Sequence, residues 1–398
     1  MFLVDKPFLS DFLIDTIRDN NFNIIATKVA RELIKDDSLA WIEEDKAVSI
    51  IKNNPQIPIY SNSENALSWI EQNLEESELS NQIKILKDKF KFRELIKELF
   101  PDFYFKKIGI EEIPNLSSED LTFPFVIKPS VGFFSIGVHI VKNEEDWHNA
   151  KNELHPEKLK SIFPENVLNT SKFIIEEFIS GEEYAIDYYH DNNGNVVLLN
   201  VLHHVFSSGT DTSDRVYSTS KEIIGKHKAD FESFLNKIGK QLHLKNFPAH
   251  AEVRIDENGR ITPIEINPLR FGGLCTTGDL LGITLGFNSY QCFIENRKPD
   301  WEKIFKAKED KIFSIIVLNN NSEIDPGNIL GFEYSELEND FENPVLIRKL
   351  DFNQFPLFGF VFTETSSGNE KELNDILTSN LRKYIKTREN STDTSYIK

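Results

Sequence analysis

The sequence predicts a protein of mixed α/β and α+β class, with an α/β segment over residues 1–80, a larger α+β region over 81–300 and a small α/β segment over 301–398. Three observations carry this. The opening runs strand, amphipathic helix, strand. Strand-turn-strand patterns dominate the middle of the chain. At 398 residues, with 39% hydrophobic and 12% aromatic content, the chain is long and apolar enough to fill two or three ordinary cores.

In "MFLVDKPFLSDFLIDTIRDNNFNIIATKVA" apolar residues recur at helical spacing through "DFLIDTIRDN", and the β-rich "FNIIATKVA" follows. "NPQIPIYSNSENALSWIEQNL" adds a short extended piece and a helix with Asn62 and Ser63 as cap candidates. "NQIKILKDKFKFRELIKELF" reads as one amphipathic helix ended by Pro101. Strands then lead to about residue 206, interrupted by the polar helix near "NEEDWHNAKNEL", and "KADFESFLNKIGKQLHL" is a further amphipathic helix. "DLLGITLGFNSYQCFIENR" reads as helical. The tail alternates strands ("KIFSIIVLN", "FGFVFTET") with a final helix, "EKELNDILTSNLRKYIK".

The formal charge of -19 argues against a broad footprint on nucleic acid or an anionic membrane, so an anionic ligand has to be met by local cations. Two cysteines, Cys275 and Cys292, without metal-type spacing point away from a disulfide framework or a zinc site, and no apolar run reaches the roughly 20 residues of a membrane span. With no secretory leader evident, the expected location is cytoplasmic.

The chemistry concentrates in "HAEVRIDENGRITPIEINPLRFGG", from His250 to Gly273. A two-residue turn at Asn258-Gly259 pairs Glu257 with Arg260 and, counting outward, Glu252 with Glu265. Alternation then puts Ala251, Val253, Ile255, Thr262, Ile264 and Ile266 on one face, and His250, Glu252, Arg254, Pro263, Glu265 and Asn267 on the other. Opposed carboxylates with β-carbons roughly 5 Å apart repel unless something neutralises them. A divalent cation with a preference for hard oxygen ligands, such as Mg²⁺, does so, and Asn267 offers a third oxygen. A solvated polar face is the ordinary reading of such a pair; the neighbouring motifs shift the balance toward a metal.

Upstream, "FPFVIKPSVGFFSIGVHIV" is a strand ending in Lys128, a loop with Gly132, Ser135 and Gly137, and a second strand. A cation beside a loop of free amides can grip phosphates from both sides. "KFIIEEFISGEEYAIDYY" runs from an apolar strand through Glu176, Glu177, Phe178 and Ile179 to Gly181 and a new strand carrying Glu183 and Asp187. A strand that ends at a cleft exposes backbone groups able to read a purine edge.

Taken in order, these motifs resemble the ATP-grasp superfamily, over roughly residues 85–300, with subdomains of about 81–170 and 171–300 behind a pre-ATP-grasp-like domain. The resemblance implies an ATP-grasp fold, in which two α+β subdomains clasp ATP, and an enzyme that activates a carboxylate as an acylphosphate for attack by an amine. It implies ATP and Mg²⁺ as cofactors. Lys128 corresponds to the strand lysine on the phosphates, Val131 to Gly137 to the phosphate lid, and Lys89 to the earlier phosphate lysine, with Lys87 and Lys91 as neighbours open to the same role. Glu176, Glu177, Phe178 and Ile179 correspond to the adenine hinge and Glu183 to the ribose or metal-phosphate carboxylate. Glu252, Glu265 and Asn267 correspond to the metal ligands. Arg270 corresponds to the arginine on the transferring phosphoryl group or substrate carboxylate, although Leu269 displaces it by one place from the commoner "NPR".

In "HHVFSSGTDTSDRVYSTS" Arg215 is a candidate for holding a substrate carboxylate, against an exposed loop arginine as the alternative. A two-residue turn at Asn193-Gly194 sets His204 opposite Glu183 and leaves His203 a structural role. Cys275 reads as a small buried residue. The expected function is therefore an amino-acid-type carboxylate-amine ligase acting on small molecules, without nucleic acid or membrane partners. The rivals are a biotin-carboxylase-like carboxylase and a non-catalytic ATP sensor. The segment after residue 300 either packs on the cleft or forms a homodimer contact.

Overall fold

A computed structural model gives the fold and describes residues 1–132, 137–155, 158, 172–207 and 214–387. The chain begins with a parallel sheet of very short strands, β1 (Phe2–Leu3), β2 (Ile24–Ile25), β3 (Trp41–Ile42) and β4 (Tyr60–Ser61), in the order β3-β2-β1-β4. Parallel neighbours cannot be joined by a tight turn, and helices Asp11–Asp19, Lys28–Leu33 and Glu44–Asn53 make the crossovers. Ser10 and Thr27 cap the first two by accepting from the Leu13 and Ala30 amides. The next helix starts at Leu67 without a side-chain cap. Asn62, expected as that cap, instead accepts from the Asp5 amide at 2.9 Å and donates to the Asp5 and Phe8 carbonyls. It ties the exits of β1 and β4 together.

The single helix expected around residues 81–100 is two, Glu78–Lys87 and Lys89–Ile96. Asp88 separates them. Its carboxylate accepts from the Phe90 and Lys91 amides and from the Ser130 hydroxyl, so the backbone gains more from capping a new helix than from extending the old one.

A second, antiparallel sheet follows: β5 (Phe105–Gly109), β6 (Phe125–Pro129), β7 (His139–Val141) and β8 (Lys172–Glu177), in the order β5-β8-β6-β7. Helix Glu144–Glu153 covers it, and Trp147 packs edge-on against Phe125 in its core.

The remaining strands are β9 (Glu182–His190), β10 (Val196–Val205), β11 (Val216–Ser220), β12 (Phe247–Ile255), β13 (Ile261–Pro268), β14 (Lys311–Asn319), β15 (Ile329–Phe332), β16 (Pro344–Lys349), β17 (Leu357–Ser366) and β18 (Ile385–Thr387). Eight of them form one antiparallel sheet in the order β13-β12-β9-β10-β11-β14-β17-β16, while β15 pairs with β18. Residues after 300 thus extend the sheet that carries the Glu252–Glu265 hairpin. Tyr184 on one face of β9 packs against His227 and Phe231 of helix Lys221–Gln241; the opposite face carries Glu183, Ala185 and Asp187. No helix among the described residues is long and apolar enough to cross a membrane.

Both hairpins differ from expectation in the same way. Asp256 and Arg260 close a three-residue loop in which Gly259 has φ +78°, and the Asp256 carboxylate accepts from the Asn258 and Arg260 amides. Asp191 and Asn195 close the same loop, with Gly194 at φ +84° and the Asp191 carboxylate on the Asn193 and Asn195 amides. In "DENGR" and "DNNGN" the aspartate organises the loop and glycine takes its left-handed end. Each odd-length loop shifts the ladder by one, and a bulge shifts it back: past it, Glu252 pairs with Glu265 and His204 with Glu183. The expected pairs therefore form from a turn other than the one expected. Thr262 now pairs with Arg254 and Pro263 with Val253, the reverse of the face assignment made from strict alternation.

The other local differences are breaks within expected helices. Gly286, at φ +70°, ends helix Thr276–Leu285, and Asn288 caps a separate helix Ser289–Ile294. The last helix is only Lys371–Leu377; left-handed Leu381 turns the chain into β18.

Candidate functional site

Alternation along β9, β12 and β13 gathers one polar field on the large sheet. Glu252 faces Glu265, His250 faces Asn267 and Asp187, and Arg254 faces Glu183. Helix Lys89–Ile96 stands against this field. Lys89 Nζ lies 2.7 Å from Glu265 Oε2, and the Asn267 amide donates to Glu265 Oε1 at 3.0 Å.

The two facing carboxyls are pushed in opposite directions. Burial and then the charges of Glu265 and Glu183 push Glu252 well above the usual carboxylate range. Burial works against ionisation at Glu265 too, but Lys89, Lys128 and Asn267 outweigh it and hold its carboxyl down at about 2. Two opposed carboxylates with an amide beside them are an all-oxygen donor set, and a carboxyl pushed up by burial and by its acidic neighbours is one that a divalent cation would relieve. The residues fit Mg²⁺ on those grounds. Among the described residues no group of three or more His, Cys, Asp or Glu is placed to hold a metal; Glu252 and Glu265 are a facing pair, with Asn267 beside Glu265.

At the end of β6, Lys128 is buried, with Nζ 2.6 Å from Glu176 Oε1. Arg93 Nε meets the other oxygen of Glu176 at 2.7 Å, and its Nη1 donates to the Pro263 carbonyl, also at 2.7 Å. Burial opposes ionisation of Glu176, yet Arg93 and Lys128 hold it down at about 2. Burial lowers the Lys128 amine, with Glu176 acting in the opposite sense.

Residues 121–278 match the family model for the ATP-grasp domain. The chain contains an ATP-grasp domain. Solved structures of the same fold are similar over nearly its whole length. The L-amino acid ligase from Bacillus licheniformis is 18% identical, with 94% of this chain and 97% of that chain covered and a TM-score of 0.66. The biotin carboxylase domain of 2-oxoglutarate carboxylase from Hydrogenobacter thermophilus, solved with MgADP and bicarbonate, is 13% identical over 97% and 90% of the two chains, with a TM-score of 0.61. N5-carboxyaminoimidazole ribonucleotide synthetase from Thermotoga maritima is 13% identical over 97% and 98%, with a TM-score of 0.59. No curated protein sequence matches the chain significantly.

Within the ATP-grasp fold the structure brings together Lys89, Lys128, Glu176, Glu252, Glu265 and Asn267. Of the three neighbouring lysines, Lys89 reaches Glu265, while Lys87 faces Glu71 at 3.5 Å. Glu183 is oriented from two sides, by His204 at 2.8 Å and Arg254 at 3.0 Å, and His204 stacks on Tyr217. His203 pairs with Glu182 nearer the surface, a structural role.

The hinge differs in detail. The Glu176 side chain is consumed by Arg93 and Lys128, Phe178 donates its amide to Pro124 at 3.3 Å, and the Ile179 carbonyl accepts from Arg254 at 2.5 Å. Those backbone groups are engaged by the protein rather than left open, the first by Pro124 and the second by Arg254. Glu177 accepts from the Tyr104 amide at 3.4 Å. Gly132 and Gly137, the latter at φ +75°, are described, while Ser135 and the rest of the expected phosphate lid between them lie outside the described residues.

Arg270 lies near Glu252, whose ionised form it favours, and is held by Glu64 of the first segment at 3.0 Å. Arg215 is not in an exposed loop: it is buried at the start of β11, with its guanidinium toward the Asn319 carbonyl. Sequence reading passed over Arg93, although it lies one helical turn from Lys89 on the same face. It also assigned nothing to the His250–Asp187 pair, 2.6 Å apart, which shares the alternation of Glu252 and Glu183.

Proposed function

We propose that the protein is an ATP-dependent carbon-nitrogen ligase that binds Mg-ATP between the second and third sheets. It transfers the γ-phosphoryl group to a small-molecule carboxylate, an amino acid by class, and an amine displaces phosphate from the resulting acylphosphate. The products are an amide, ADP and phosphate. The observation that carries this reading is the Glu252, Glu265 and Asn267 oxygen set with Lys89 held against it at 2.7 Å. Mg²⁺ at that set would supply charge neutralisation to the phosphates.

The chain's own residues supply position. Lys89 and Lys128 approach the phosphates, Glu183 takes the ribose or metal-phosphate region, and the hinge from Glu176 through Ile179 borders the base. Arg270 takes the transferring group or the substrate carboxylate, with Arg215 as a further carboxylate contact. Phosphoryl transfer asks mainly for positioning and charge stabilisation, which this kit provides without a protein nucleophile. The loop from Gly132 to Gly137 would exclude water from the acylphosphate. Similarity to an L-amino acid ligase over nearly the full length favours the amino-acid class.

The test is ADP release with pairs of L-amino acids, followed by mass spectrometry of the product. A condensed amino-acid product supports the reading. ADP release driven by bicarbonate and biotin without an amine would turn it toward a carboxylase, and ATP binding without ADP release across the panel toward a sensor.

A further inference from the structure

We propose that Arg348, on β16 of the C-terminal segment, is a positioning residue for the loop that carries Arg270. The inference rests on the ligase reading above, in which that loop borders the substrate.

The segment from Leu269 to Cys275 follows directly on Asn267 and is built of unfavourable backbone. Leu269, Leu274 and Cys275 have φ of +58°, +53° and +59°, a region that side chains with a β-carbon seldom occupy. Such conformations persist only where the surroundings over-determine them, and they cluster at functional sites. At its start, Leu269 donates to the Pro248 carbonyl at 2.8 Å and accepts from the Ser61 amide at 2.7 Å, and Arg270 is held by Glu64; two further anchors hold the rest. On the sheet side, the Gly272 amide donates to Asp187 Oδ1 at 3.1 Å, and the same oxygen meets His250 Nδ1 at 2.6 Å. His250 is the neighbour of Glu252 on the metal face, their side chains 3.8 Å apart. On the far side, Arg348 Nη1 donates to the Leu274 carbonyl at 2.9 Å, at the strained pair itself.

Arg348 is fixed in turn. Its Nη2 meets Asp279 Oδ2 at 2.5 Å, while the other Asp279 oxygen accepts from the Tyr290 hydroxyl at 2.6 Å. The guanidinium lies over the rings of Phe8 and Phe362, 5.0 and 4.9 Å from their centroids. Asp279 is fully buried, so the pair is shielded from solvent screening. This gives the extension of the large sheet by β14, β17 and β16 a purpose at the site: it carries the guanidinium that pins the far end of the loop, so that Arg270 stands at a fixed place beside Glu252.

The test compares wild type with Arg348→Ala, Arg348→Lys, the double variant Arg348→Ala/Asp279→Asn and the control Lys349→Ala. The double variant removes the buried charge that Arg348→Ala would strand, keeping the fold measurable. Two readouts are taken: amide exchange by mass spectrometry over residues 269–277, and ADP release with calorimetric Mg-ATP affinity. The expected result is faster exchange confined to 269–277 and a fall in kcat/KM for the amino-acid substrate on the order of 10²-fold, the scale of a reacting group displaced by about 1 Å. ATP affinity stays within about twofold, Arg348→Lys recovers part of the loss, and Lys349→Ala matches wild type. Unchanged exchange at 269–277 in the double variant overturns the positioning role. Unchanged kcat/KM with faster exchange overturns its link to the reaction. If wild type itself releases no ADP, it is the ligase reading that has failed, and the exchange data still decide whether Arg348 pins the loop.

Discussion

Arg93 Nε and Glu176 Oε2 meet at 2.7 Å in a buried ion pair, and the same guanidinium donates to the carbonyls of Pro263 and Ile264 at the bulge of the β12–β13 hairpin. One side chain thus joins the sheet that presents Lys128 to the sheet that presents Glu265. Lys89, one turn earlier on the same helix, grips Glu265 directly. The helix Lys89–Ile96 acts as a bracket between the two halves of the site.

Arg93→Ala should therefore be costly. It leaves the buried Glu176 carboxylate with Lys128 alone and two carbonyls without their donor, and a loss of about 3–5 kcal/mol in urea unfolding is expected, the range for breaking one side of a buried pair. A loss below about 1 kcal/mol, the scale of an exposed pair, would contradict the bracket.

Acid should act through Glu176. Folding lowers its carboxyl from an ordinary 4.5 to about 2, so its contribution is fully present above pH 4.5 and fades as pH falls toward 2. Stability measured across that window should fall more steeply in wild type than in Glu176→Gln. Parallel curves would mean the pair is not formed in solution.

Glu252 should lose a proton when the metal enters. Its carboxyl is held above the usual range, and a hard cation binds the ionised form. Calorimetry of Mg-ATP binding in buffers of different ionisation heat should show proton release near pH 7, reduced in Glu252→Gln. Glu265→Gln and Asn267→Ala should abolish Mg-ATP-dependent turnover with thermal unfolding close to wild type; wild-type rates in either would remove the metal assignment.

Lys128→Ala should weaken ATP binding roughly 10- to 100-fold by calorimetry, the worth of one charge-assisted hydrogen bond. Unchanged affinity would leave Lys128 a structural partner of Glu176.

Two glycines should separate conformational strain from collision. At Gly259, φ +78° with open space around an added β-carbon, alanine should cost about 1 kcal/mol. At Gly181, φ +118°, the β-carbon would lie 2.1 Å from the Ile255 carbonyl oxygen, so the hinge or hairpin must move and the cost should be several-fold larger. Equal melting temperatures for the two variants would be inconsistent with that contact.

The sequence pointed to Glu252 and Glu265 as facing partners, but the pairing came out as expected only because an unforeseen bulge offset the misread turn. Lys128 at its strand end and the amphipathic helices were legible in the sequence. The turn that sets the register was misread, since Asn-Gly fits both a two-residue turn and the end of the three-residue Asp-x-Asn-Gly loop, and only the bulges at Leu199 and Ile264 reconcile the second with the same pairing. What the tertiary structure alone decided are the partners that come from far along the chain. Arg93 reaches Glu176 and Pro263, Glu64 reaches Arg270, and Arg348 reaches Leu274 and Asp279. The sequence by itself marked the candidate residues; packing between distant segments determined which charges lie together, and so in which direction each buried carboxyl and lysine is pushed, because those shifts depend on distance and desolvation rather than on sequence pattern.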